Sequence, residues 1–151
     1  MEIAGDLAFD QGLSDLTGFA QDGREFAVVG LIESDAAAFV DITDPANPVE
    51  VGRISGTPST WRDLKYWNRH VYIGTEANDG IKVVSVDNPD NPILVYTITD
   101  FGSSHNLHID ADGYLYVVGA TDHDIWIYEL TDHPETPQFV GSWDDEYLHD
   151  I

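Results

Sequence analysis

A period of about 44 residues runs through this chain. Pro-rich turns end at Pro48 in TDPANP, at Pro92 in DNPDNP and at Pro137 in DHPETP, spaced 44 and 45 residues apart. A glycine follows an apolar run at Gly30 (FAVVG), Gly74 (VYIG) and Gly119 (LYVVG), with the same two spacings. A third marker recurs as SDL at Ser14–Leu16, RDL at Arg62–Leu64, HNL at His105–Leu107 and HDI at His149–Ile151. Three independent markers sharing one period define a structural repeat.

Each period holds four short runs of β character. In the middle repeat these are WRDLKYW, HVYIGTE, GIKVVSVD and PILVYTITD, separated by Asn-Arg, Asn-Asp-Gly and double-proline turns. The first and third repeats follow the same plan, with QDG and ADG as their first turns. No segment keeps a helical period over about 11 residues. Four strands in a unit of this length predict an all-β fold, a β-propeller with one four-stranded blade per repeat. A β-sandwich of this length would not require three similar units.

The expected organisation is a single partial propeller over 1–151, with blades at about 13–55, 61–99 and 105–143. Strand-like fragments are expected at 1–7 and 147–151, because MEIAGDLAFDQGLSDL aligns with PILVYTITDFGSSHNL. Propellers close with roughly four to eight blades, so three leave open edges. The chain is then either part of a longer propeller or closes a ring with copies of itself. Two copies would give about six blades, which predicts a C2 homodimer with terminal strands open to exchange.

Charge limits the partners. Six basic residues face 28 acidic ones, for a formal net charge of -22. Such a surface repels phosphate backbones and makes nucleic acid a poor partner. Carboxylates spread along the whole chain, with only Lys65 and Lys82 as lysines, fit a solvated surface adapted to high salt. The absence of cysteine removes disulfides, thiolate metal sites and thiol nucleophiles together. No apolar run has the roughly 18 residues of a membrane span, and the N-terminus does not read as a signal peptide.

The segments GREFAVVGL, AAAFVDITDPANPVEVGRISG, TWRDLKYWNRHVYIGTEANDGIKVVSVD, SHNLHIDADGYLYVVGA and YLHDI resemble the LVIVD-repeat β-propellers of the choice-of-anchor B family. The ordered series FVDITDP, WRDL, HNL, YLHDI carries the likeness, which extends from about Leu13 onward. The resemblance implies a β-propeller, typically extracellular or at the cell surface of bacteria and archaea. It implies little about activity. The chain is much shorter than members of that family.

The innermost strands hold the candidate site. Side chains alternate along a strand, so Leu16, Leu64, Leu107 and Ile151 are expected on the core face. Asp15, Asp63, Asn106 and Asp150 then fall opposite, preceded by Ser14, Arg62, His105 and His149. One reading has the Asp and Asn side chains capping backbone N–H groups of the neighbouring blade. Another makes them a polar ring at the axis, where oxygens suit Ca²⁺ or Mg²⁺ and His105, His149 and Asp150 suit Zn²⁺. Arg62 is expected to pair with Asp63, Asp15 or an anionic ligand. Trp61 is placed either to stack on a planar ligand or to pack between blades. His70, His123 and His133 read as solvent-exposed, and Trp126 and Trp143 as packing residues.

No catalytic residue is assigned. There is no GxSxG elbow and no Gly-rich phosphate loop leading into a helix. The expected function is a non-enzymatic binding or interaction scaffold, with any ligand or metal among Asp15, Trp61, Arg62, Asp63, His105, Asn106, His149 and Asp150. One alternative is a hydrolase or lyase using the same His, Asp and Arg cluster. The other is a purely structural, self-assembling repeat module.

Overall fold

Among the described residues, twelve strands form three separate sheets. The structure, a computed structural model, describes residues 3–151. Sheet 1 contains β1 (Leu13–Gln21), β2 (Arg24–Leu31), β3 (Asp35–Asp41) and β4 (Val49–Ser55). Sheet 2 contains β5 (Arg62–Trp67), β6 (His70–Thr75), β7 (Ile81–Ser85) and β8 (Ile93–Ile98). Sheet 3 contains β9 (Asn106–Ile109), β10 (Tyr114–Val118), β11 (Ile125–Glu129) and β12 (Gln138–Trp143). Each sheet is an antiparallel meander in chain order, and none closes on itself. There is no helix among the described residues, and hence none long and apolar enough to cross a membrane.

Local sequence explains the hairpins. Asp22 and Gly23 join β1 to β2 with φ of 52° and 80°, and Asn68 and Arg69 join β5 to β6 with φ of 42° and 64°. Two consecutive left-handed residues form the tight turn whose twist matches paired strands. Leu16, Leu64 and Leu107 pair with Val29, Ile73 and Val117, 44 residues apart in the second strands. Gly30 and Gly74 therefore share one position, while Gly119 lies one residue beyond its counterpart. There it ends β10 with φ of 64°.

The sheets meet through two apolar layers. Phe19, Phe26, Val28 and Phe39 of sheet 1 pack on Leu64, Val71, Ile73 and Val84 of sheet 2. Tyr72, Ile81 and Val83 on the other face of sheet 2 pack on Leu107, Leu115, Val117, Trp126 and Tyr128. Sheet 2 is thus covered on both faces, and every residue of β6 is buried. First strands approach one another, β1 against β5 and β5 against β9. The fourth strands β8 and β12 are largely exposed, while β4 is mostly half-buried.

The expected terminal strands do not form. Met1 and Glu2 lie outside the described residues, 3–7 adopt no strand, and neither do 147–151. A strand needs a neighbouring edge to pair with, and no sheet of the described residues includes either segment. The N-terminal segment instead crosses the outer face of sheet 1. There Leu7 and Phe9 line a cavity with Ala27, Val29 and Val40. Leu16, expected in the core, is 65% exposed because, among the described residues, no sheet packs on that side of sheet 1, and Ile151 is 48% exposed.

Candidate functional site

The first strands assemble the site. The half-buried Asp15 on β1 accepts a hydrogen bond from the Leu64 N–H of β5 at 2.7 Å. The buried Asp63 on β5 accepts one from the Leu107 N–H of β9 at 2.5 Å and is paired with Lys65. The same clasp therefore passes from sheet 1 to sheet 2 and from sheet 2 to sheet 3. This is the capping role read from the repeat. Burial pushes the Asp63 carboxyl above its ordinary value, opposed by the bonds from Lys65 and Leu107. Asn106 holds the equivalent place on β9 and is half-buried.

Of the partners expected for Arg62, neither Asp63 nor Asp15 is paired with it, and its Nη1 is buried without a hydrogen-bond partner among the described residues. Only 2% of the residue is exposed. Its Nε donates to the Leu31 carbonyl at 3.0 Å and its Nη2 to the Thr57 carbonyl at 2.7 Å. Burial lowers its pKa, and the more distant Asp79 opposes that shift. The long side chain reaches back into the connection after sheet 1, where carbonyls rather than carboxylates await it. Sequence spacing alone could not show this direction.

A cavity of about 150 Å³ remains among Ser14, Asp15, Trp61, Arg62, Asp63 and Asn106. Small-molecule sites usually need roughly 300 Å³ or more, while a water takes about 30 Å³. This space fits a few waters or a small ion, not a substrate of sugar size.

Beside it stands a second cluster. The Trp61 ring stacks on His105 at 4.5 Å and 11°, and its indole N–H donates to the His105 carbonyl at 2.8 Å. Trp61 thereby bridges sheets 2 and 3, although 41% of it stays exposed. His105 Nδ1 lies 2.7 Å from Glu76 Oε1. His149 places its ring 3.7 Å from that of His105, and Asp150 Oδ1 lies 3.7 Å from His105 Nε2. The structure thus brings His105, His149 and Asp150 together. One ligand atom from each falls within 4.8 Å of the others.

Glu76 went unread in the sequence. It follows Gly74 by two residues, but Ile32 and Thr121 stand at the like distance from Gly30 and Gly119. No repeated acidic residue marked it. His70 is a correction: it is buried, with Nδ1 2.8 Å from the Asn68 carbonyl. The tight Asn68–Arg69 turn folds that carbonyl back over the ring. His123 is half-buried against Trp126 and Asp144, whereas His133 is exposed as expected. Trp126 is buried in the second apolar layer, and Trp143 is 38% exposed on the outer strand.

No family model matches the chain, and no curated protein matches it.

Proposed function

We propose that the chain is a three-blade unit of a β-propeller of the LVIVD-repeat kind. It works as a non-enzymatic binding scaffold that completes its ring with a second copy of itself. The carboxylate clasp between successive first strands is the observation that carries this reading. It runs in one direction, from Asp15 to Leu64 and from Asp63 to Leu107. Asn106 is the next member of the series, and Leu16 stands exposed at the receiving position of sheet 1. A partner copy supplies the missing half at each end. By strand alternation, Tyr116, Ile125 and Ile127 lie on the outer face of sheet 3, where the partner's sheet 1 would pack.

His149–Ile151 repeats the Ser14–Leu16 pattern and lies beside His105, on the flank the partner's β1 would take. Pairing therefore displaces or exchanges this segment. Light scattering should give a mass of twice 16.7 kDa. Leu16→Lys should return that mass to a single chain without loss of β circular dichroism, since Leu16 is exposed within one chain. A parent chain that stays single at every salt concentration would end the ring reading.

The purely structural alternative draws support from Asp15 and Asp63, whose carboxylates serve backbone N–H groups. The extracellular setting rests on the family resemblance alone.

A further inference from the structure

We propose that His105, His149 and Asp150 bind a divalent transition metal of the zinc class. All three ligands come from one chain, so the site does not rest on ring closure.

His105 is the anchor. It is 8% exposed, and its Nε2 is buried with no hydrogen-bond partner among the described residues. A buried polar atom without a partner is costly, and this one faces Asp150. Glu76 on Nδ1 holds that nitrogen protonated, which leaves the Nε2 lone pair directed at the cluster. A carboxylate behind a ligating imidazole is the usual way such a ring is oriented and made more basic. Trp61 covers one side of the ring. Gly119 closes in on its Cβ, where a side chain would collide with His105.

The geometry needs only a small adjustment. Ligand atoms around a tetrahedral zinc, with bonds of about 2.0–2.1 Å, lie roughly 3.3 Å apart. Here they lie within 4.8 Å, and His105 Nε2 is 3.7 Å from Asp150 Oδ1. The remaining closure falls on His149 and Asp150, whose side chains are 56% and 72% exposed. The fixed ligand is therefore buried, and the two that adjust are exposed, with His149 Nδ1 3.1 Å from Asp150 Oδ2. Two imidazoles with one carboxylate suit zinc-like ions; Ca²⁺ and Mg²⁺ call for more oxygen ligands.

The test is calorimetric titration of the full chain with Zn²⁺, in excess Mg²⁺ to occupy scattered carboxylates. Co²⁺ absorption serves as a check on coordination geometry. One Zn²⁺ per chain is expected. His149→Ala should weaken binding at least tenfold, and Glu76→Ala by about 10–100-fold through loss of orientation. Affinity should fall on acidification, because ligating imidazoles must be neutral. Absence of stoichiometric binding in Mg²⁺ would overturn the site. So would Zn²⁺ binding that His149→Ala leaves unchanged, since that would place the metal on the general acidic surface.

Discussion

The clasp residues Asp15 and Asp63 sit where backbone N–H groups need an acceptor, and Asp63 sits where charge is expensive. For Asp63 the two demands conflict. Burial raises its carboxyl above the ordinary range, so the folded state binds its proton more tightly than the unfolded chain does. That contribution favours folding below the unfolded pKa and is lost as pH rises through the folded one. Asp63→Asn keeps an oxygen for the Leu107 N–H and removes the buried charge, as Asn106 does in the third repeat. Its stability in urea should stay within about 1 kcal/mol of the parent at neutral pH, with a smaller loss as pH rises above about 4. Asp63→Ala should cost about 1–3 kcal/mol, because the Leu107 N–H is left buried and unpaired. Equal losses for the two variants would show that the carboxylate's charge, not its oxygen, matters. Asp41 acts with the opposite sign. The Thr43 hydroxyl and Arg24 hold it down to about 2, so its contribution is present above the ordinary carboxylate value and disappears as pH falls toward 2.

At the scale of strands and sheets, burial is graded across each meander. β6 is wholly buried, while β8 and β12 expose most of their residues. Local opening follows this grading, since few buried contacts hold an outer strand in place. Hydrogen exchange should leave β6 and its neighbours β5 and β7 protected longest, with β12 and β8 exchanging first. Uniform protection across sheet 2 would mean that the sheet opens only as a whole. The strands and turns were legible because Gly, Pro and Asn-Arg turns punctuate alternating apolar runs, signals that depend on nearby residues alone. The Asp–N–H clasp was legible as well, because a side chain that recurs in register must recur for a shared reason. Leu16 misled, since its pattern is that of Leu64 but no sheet among the described residues covers it. Arg62 and Glu76 were out of reach for a different reason. Where a long side chain ends is decided by tertiary neighbours, here the Leu31 carbonyl and His105, and no spacing encodes that.

The whole molecule is governed by its net charge of -22. Its six basic side chains are already engaged. Arg24, Arg53, Arg69, Lys65 and Lys82 meet carboxylates, and Arg62 is bound to backbone carbonyls. The remaining carboxylates face one another across water. Salt acts in two directions here: it weakens the ion pairs and relieves the repulsion. Surface pairs are worth about 0–1 kcal/mol each, and only a handful exist, so relief should win. Raising NaCl from about 0.1 M to about 1 M shortens the screening length from about 10 Å to about 3 Å. The thermal midpoint should therefore rise, and the paired fraction seen by light scattering should rise with it, because two strongly acidic chains must approach face to face. A falling midpoint would mean that the few ion pairs outweigh the repulsion. Zinc should act against salt on pairing. Bound Zn²⁺ would pin His149 and Asp150 over His105, on the flank proposed for the partner's β1. At fixed salt, saturating Zn²⁺ should shift the population toward single chains, and Leu16→Lys, already unpaired, should show no further change in mass. A paired fraction that Zn²⁺ leaves untouched would mean that the C-terminal segment and the partner do not share that flank.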